Sequence, residues 1–580
     1  MKKVLLFLIF FCISFSFAFL LIFIIFEPIF NAKNLIFPYA IHPFDIVSVY
    51  PDTWILLKKF YFFSFFISYS ILFYRIFNLI YIHYPPKIKK EKIFLIKNTS
   101  ELSLFIGLNT NQPVFISEKG LYQNILITGT IGAGKTSSAM YPFTKQLIEF
   151  SSDNPSQKLA MLILDVKGNY FKKVLEYANN SNRLSDVITI DLSGKFKYNP
   201  LDKPDLKPIV LANRLKTILS LFSPNNSESF WLDKAEQILA ECIKFCRLYN
   251  DGYVTFSEIH KLLMFPEYYQ EKLEVLKILF KQGKFNDNDV YNLLTCIDFF
   301  EKEFFSLDTR TISILKSEIS RITSIFVSDY SVSKSFCSPK NELNFHGFKD
   351  ILKTGKIVVL NMNISEYKNL SKIIAAYLKL DFQTEVLSQL SFNTIPRKSV
   401  FISDEFHEYV TTTDSDFFAQ SREAKCINII ATQSYSSIKN SLKDETATKV
   451  IIQNMINKLW FRTTDNFTID EAQKQIGKEE KEKISTTISE NAKETNLNLL
   501  TNTLISRNSN ISESYNKYTQ NDYIYDTNYF SQNLETFKAL AFISNGFKVS
   551  KPIELQMIPY YKDNIYNSKI LYKERNKNEK

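Results

Sequence analysis

The chain is short of the residues that most often anchor chemistry on their own. Its 580 residues include only six cysteines, five histidines and thirteen glycines. The cysteines are Cys12, Cys242, Cys246, Cys296, Cys337 and Cys426. Cys242 and Cys246 fall one helical turn apart, but no histidine or second cysteine pair completes a metal set. They read as buried free thiols in a reducing compartment, which argues against a disulfide-built secreted scaffold. Charge of one sign is scarce too. Lys and Arg number 70 against 60 Asp and Glu, a formal +10 that permits an anionic partner without demanding one. No Leu-Ser-Gly-Gly-like stretch occurs, which speaks against an ATP-binding-cassette transporter.

Against so little glycine, one cluster stands out. Gly129-Thr130-Ile131-Gly132-Ala133-Gly134-Lys135-Thr136 fits G-x-x-x-x-G-K-[ST] directly behind the apolar run Asn124-Ile125-Leu126-Ile127-Thr128. Glycines let successive N–H groups point inward around phosphates, the lysine reaches the β and γ phosphates, and the Thr136 hydroxyl takes a place on Mg²⁺. Ser137 and the residues after it can open a helix whose N-terminus faces the anion. Residues 129–137 are therefore the expected ATP-binding loop, with Lys135 also catalytic. The rival reading is a glycine-rich turn with an incidental lysine.

Long apolar runs are present at the start. Val4 to Phe26 is 23 residues without a charge, enough to span a bilayer as a helix. A cleaved signal peptide is the rival, since Ser16-Phe17-Ala18 offers small residues; the run continues eight residues further, which favours an uncleaved span. Trp54 to His83 is a second candidate, carrying Lys58, Lys59 and Arg75 around an uncharged centre from Phe60 to Tyr74. It spans if the two lysines snorkel and the segment tilts. Lys2, Lys3, Lys87, Lys89, Lys90 and Lys92 flank the pair, and the loop between carries only Lys33 as a basic residue. The positive-inside rule then predicts a hairpin, residues 1–92, with both ends and the bulk of the chain in the cytoplasm.

Beyond it, unalternating runs predict strands buried on both faces of a parallel sheet: Leu159 to Leu164, Val187 to Ile190, Lys356 to Asn361, Val400 to Ser403, Ile427 to Ala431, Lys458 to Arg462 and Ala539 to Ile543. Between about 205 and 345 helical periodicity replaces them. An all-α insertion thus divides a nucleotide-binding domain into parts 93–204 and 346–580. Its lysines could line a nucleic-acid or protein surface, or form an ordinary solvated face. Residues 478–535 are polar with weak periodicity and read as a long mobile excursion; a short basic tail follows Asp563.

Two further stretches complete the expected chemistry. Phe401-Ile402-Ser403-Asp404-Glu405 is an apolar strand ending in two acids. Asp404 suits the Mg²⁺ shell and Glu405 the attacking water. Gln433, in Ala431-Thr432-Gln433-Ser434, is placed to sense the γ-phosphate. Arg422 could stabilise transition-state charge in a neighbouring subunit if the assembly is a ring; Arg462 is the other candidate, and a surface salt-bridge role for Arg422 stays open. His407 reads as a local hydrogen-bond partner rather than a base.

In order and spacing, these motifs resemble those of the coupling proteins of type IV secretion systems, the TraG/TraD-like conjugative ATPases. The resemblance runs through Gly129–Thr136, Asp165-Val166-Lys167-Gly168, Asn199-Pro200-Leu201-Asp202, Phe230-Trp231, Asp404-Glu405, Arg422, Gln433, and Phe461-Arg462-Thr463-Thr464-Asp465 with Gly477 after it. It implies a RecA-like P-loop NTPase domain with an inserted all-α domain and a two-helix transmembrane anchor in the bacterial inner membrane. It further implies a hexameric ring with ATP and Mg²⁺ at subunit interfaces and Arg422 reaching in trans. The expected partners are single-stranded DNA with its relaxase and/or protein effectors, the secretion channel and the lipid membrane. Two alternatives remain: a nucleotide-switched cargo receptor with little turnover, and a double-stranded DNA translocase. The large insertion, the two spans and the lack of an evident winged-helix segment speak against the latter.

Overall fold

Seven of the apolar runs become neighbouring strands because each buries both its faces. The computed structural model describes residues 11–16, 18, 59, 63, 66–76, 102–165, 167–222, 229–391, 395–491, 496–498, 503–505 and 510–562. The chain forms two units, Met1–Ile96 and Lys97–Lys580.

In the larger unit the strands are β1 Ser103–Asn109, β2 Gln112–Ser117, β3 Ile125–Thr128, β4 Ala160–Leu164, β5 Val187–Ile190, β6 Ile357–Leu360, β7 Ser399–Ser403, β8 Cys426–Thr432, β9 Asn457–Trp460, β10 Lys478–Asn491, β11 Asn496–Asn498, β12 Thr503–Ile505, β13 Asn510–Tyr523, β14 Lys538–Phe542 and β15 Ile553–Gln556. Eleven form one sheet in the order β2-β1-β15-β14-β9-β3-β8-β7-β4-β6-β5. From β9 to β5 all neighbours are parallel, whereas β14, β15, β1 and β2 continue the sheet antiparallel. Strand β8 lies between β3 and β7, in register Thr128↔Thr432 on one side and Ser403↔Ile430 on the other. The carboxyl ends of these three strands therefore share one edge, where open parallel sheets bind ligands.

Successive strand residues serve opposite cores. Leu126, Leu162 and Phe401 pack with the helical region, while Ile125, Ile127, Met161 and Ile163 pack with the helices Tyr141–Glu149 and Tyr170–Asn180. Between β5 and β6 the described elements are helices, from Pro208–Ser220 and Ser229–Tyr249 to Tyr330–Phe336. Their core is continuous with one sheet face through Leu211, Leu215, Phe256 and Tyr377. At this junction the buried Asp381, on the helix Ile364–Ser388, meets Lys203 Nζ at 2.9 Å, Arg214 Nη1 at 3.2 Å and the Tyr198 hydroxyl at 3.2 Å.

Within the excursion of residues 478–535, where the sequence shows only weak periodicity, β10 and β13 pair antiparallel from Lys478↔Tyr523 to Asn491↔Asn510, and β11 pairs with β12 beyond them. Lys483 meets Asp522 at 2.6 Å across the ribbon. The strands went unread because Ile484, Tyr515 and Tyr518 stay exposed; with no face against a core there is no alternation to detect. The following turn Tyr529–Asn533 returns to the sheet, burying Phe530 beside Trp460 and Leu540.

In the smaller unit the described residues of the two apolar runs are helical and touch through aromatics. Phe11 and Phe15 meet Phe66 and Tyr69 with ring centroids 5.4–6.2 Å apart. Among the described residues no helix is long and apolar enough to cross a membrane. Most of the two expected spans lies outside those residues.

Candidate functional site

The phosphate loop is tied to the tips of two strands. Gly129 N–H donates to the Gln433 carbonyl at 3.3 Å, at the end of β8, and Thr130 N–H donates to the Arg462 carbonyl at 2.8 Å, just past β9. Any side chain at Gly129 would put its Cβ 2.6 Å from Phe461 Cβ, so the close approach itself requires glycine. Ile131 at the loop's crest is 79% exposed. Thr136–Met140 is a π-helical turn leading into the helix Tyr141–Glu149. Lys135 is buried, and its ammonium donates back to the carbonyls of Gly129 and Thr130. Burial holds that ammonium below the usual lysine range, with Glu405 and Asp404 pulling the other way.

The two acids meet the loop where the sequence places them. Thr136 Oγ1 donates to Asp404 Oδ2 at 3.0 Å, and the other carboxylate oxygen accepts Glu405 N–H at 3.1 Å. Burial pushes the Asp404 carboxyl up to about 6, opposed by Lys167 and reinforced by Glu405 and Asp165. Glu405 sits in the left-handed region at φ +50°, a conformation that costs a non-glycine residue about 1–3 kcal/mol. It is 7% exposed, and its Oε2 has no hydrogen-bond partner among the described residues. Strain and an unmet buried acceptor thus coincide in one residue.

Three neighbours were not among the expected site residues, although His407 makes the local hydrogen bond expected of it. Lys167 Nζ lies 3.7 Å from Glu405 Oε1, held there by the turn after β4. That turn is organised by Asp165, whose carboxylate accepts the N–H groups of Lys167, Asn169 and Tyr170 at 3.1 Å each. His407 belongs to the site: Nδ1 lies 3.2 Å from Thr432 Oγ1 and 3.7 Å from Glu405 Oε2, joining the β8 tip to the acid. Burial holds its imidazole below the usual histidine range. The third is Phe537, whose N–H donates to the Ala133 carbonyl at 3.2 Å. Its signal was absent because the contact joins loop residues 404 positions apart in the chain (537 − 133).

The remaining candidates are not all brought together. Lys135, Thr136, Asp404, Glu405 and Gln433 share the carboxyl edge of β3, β7 and β8. Arg422 precedes β8 and so lies at the opposite edge, exposed, with Nη2 3.5 Å from the Gly546 carbonyl. Arg462 is the arginine on the loop's own edge.

The donor set fits Mg²⁺ bound with a nucleotide. Among the described residues no group of three or more Asp, Glu, His or Cys is arranged to hold a metal alone. One hydroxyl and one carboxylate suffice for an ion that takes its other ligands from phosphates and water. Thr136 and Asp404 supply that pair.

Residues 398–525 match the family described as the TraM recognition site of TraD and TraG, a stretch from β7 through the acids to the ribbon. The fold is similar to the unbound bacterial conjugative coupling protein TrwB lacking its first 70 residues. There the TM-score is 0.52 at 10% identity, covering 80% of this chain and 89% of that one. It is also similar to plasmid coupling protein TrwB in complex with the non-hydrolysable GTP analogue GDPNP, at TM-score 0.50 and 11% identity, covering 76% and 87%. Among curated proteins none matches. The resemblance to coupling proteins carried by the motifs is borne out in the fold.

Proposed function

We propose that the chain is a membrane-anchored ATPase of the coupling-protein kind, which recruits DNA–relaxase complexes and/or protein effectors and drives them into a type IV secretion channel. One observation carries the enzymatic part: a phosphate loop whose Thr136 is bonded to Asp404 beside a strained, unsatisfied Glu405. A bound Mg²⁺ would neutralise charge on the transferred phosphoryl group. Lys135 exchanges its two loop carbonyls for phosphate oxygens. Thr136 and Asp404 would hold the metal. Glu405 accepts the proton of the attacking water on Oε2, with His407 standing 3.7 Å from that oxygen and Lys167 3.7 Å from Oε1, and Gln433 reports on the γ-phosphate. Arg422 acts in trans within a hexameric ring, with Arg462 as the alternative.

The anchor and inner-membrane location rest on the apolar runs 4–26 and 54–83 and on the lysines that flank them. The similarity of fold to conjugative coupling proteins and the family match over 398–525 support cargo transfer as the purpose. In a donor strain, Lys135→Ala should abolish passage of cargo to recipients while leaving the chain in the membrane fraction. Transfer at the wild-type frequency would remove the coupling role. Glu405→Gln separates a motor from a nucleotide switch: a motor loses transfer, whereas a switch that needs binding alone retains it.

A further inference from the structure

The phosphate loop has a polarity that points beyond its acids. Lys135, Thr136 and Asp404 mark the β and γ end of a bound triphosphate, so the sugar and base must leave towards Ser137 and the turn that follows. That side is lined by a distant part of the chain. Tyr560 N–H donates to the Ser137 carbonyl at 2.9 Å, and Met557 N–H donates to the Phe537 carbonyl at 2.7 Å. The segment thus crosses the start of the phosphate-loop helix, tied to it directly by Tyr560 and indirectly through Phe537, whose own N–H bonds the Ala133 carbonyl.

What it presents there is aromatic. The Tyr561 ring lies 5.5 Å from Tyr560 and 6.4 Å from Phe537, and Tyr141 stands edge-on to Tyr560 at 5.3 Å. Lys173 Nζ sits 4.5 Å over the Tyr560 ring. Phe537 is held at φ +65°, where only over-determined packing keeps a bulky residue, and its ring fills the space a Cβ on Gly134 would need. Tyr561 nevertheless remains 58% exposed. Three aromatic rings fixed against the base-ward end of a phosphate loop, one of them open to solvent, form a platform for a planar ring.

We propose that Phe537, Tyr560 and Tyr561 form a nucleobase shelf, which receives the base of the triphosphate whose phosphates lie in residues 129–136. This rests on the reading of that loop as a nucleotide site. Calorimetric titration of the full chain in detergent, with ATP and separately with inorganic tripolyphosphate, tests it. Tyr561→Ala should weaken ATP binding about 5- to 100-fold, the range of one base–aromatic stack. Tripolyphosphate, which has no base, should bind the variant as it binds wild type, and that unchanged binding certifies the variant's fold. Tyr561→Trp should keep or tighten ATP binding. Equal ATP affinity for Tyr561→Ala and wild type, or parallel losses for both ligands, overturns the shelf while leaving the phosphate site standing. If wild type binds neither ligand, the nucleotide reading fails and the shelf with it.

Discussion

Glu405 pairs a left-handed backbone with a buried carboxylate oxygen that no described residue serves. A general base placed this way should matter for rate and little for affinity. Glu405→Gln should lower ATP turnover about 10²- to 10⁴-fold while retaining nucleotide binding, read by phosphate release and calorimetry side by side. A second residue makes a pH prediction independent of the site. Lys458, buried in β9, donates to the Met455 carbonyl, and burial pushes its ammonium down to about 7. Because the folded value lies below the unfolded one, the unfolded chain binds the extra proton between pH 7 and about 10.5. Stability lost to Lys458 is therefore greatest at or below pH 7 and is regained as pH rises. Lys458→Met should stabilise the chain by up to about 4 kcal/mol at neutral pH. Urea midpoints should show the advantage vanishing towards pH 10.5. At this scale the phosphate loop, Asp404 and Glu405 were legible because their chemistry is written in contiguous residues. Lys167 and His407 reach Glu405 only after β4, β7 and β8 align, and no local pattern encodes that.

Elements were legible in proportion to their burial. Each of β3 to β9 is a run whose every residue, or nearly every one, is buried, and each was readable as a strand. Strand β15, four residues with one fully buried, was not. The β10–β13 ribbon is the extreme case, a regular pairing with an exposed surface. Its stability contribution should be correspondingly small. Joining Lys483 to Tyr518 through a short Asn-Gly turn should shift the melting temperature by no more than about 1–2 °C, since exposed changes rarely exceed about 0.5 kcal/mol. ATP turnover should be unchanged. A larger shift would mean that the ribbon packs on something in the folded chain.

For the whole molecule the decisive feature is that the helical region is not an appendage. Its core runs into one sheet face, and Asp381 ties Lys203 and Arg214 together at the junction. Asp381→Asn leaves the buried Arg214 without its carboxylate and Lys203 with Glu385 3.9 Å away, and should cost about 3–5 kcal/mol. A single cooperative urea transition moving to lower midpoint would report it; two separate transitions would show that helical region and sheet unfold independently. Periodicity located the insertion, but not this shared core, because Lys203, Arg214 and Asp381 come from three separate segments.

The account turns on a triphosphate being cleaved at the edge where β3, β7 and β8 end. Phosphate release from ATP by the purified full chain, with Lys135→Ala measured alongside, tests this most directly. Steady release by wild type that falls to background in the variant is the predicted result; equal release by both, or none by either under any nucleotide and DNA condition, would contradict it.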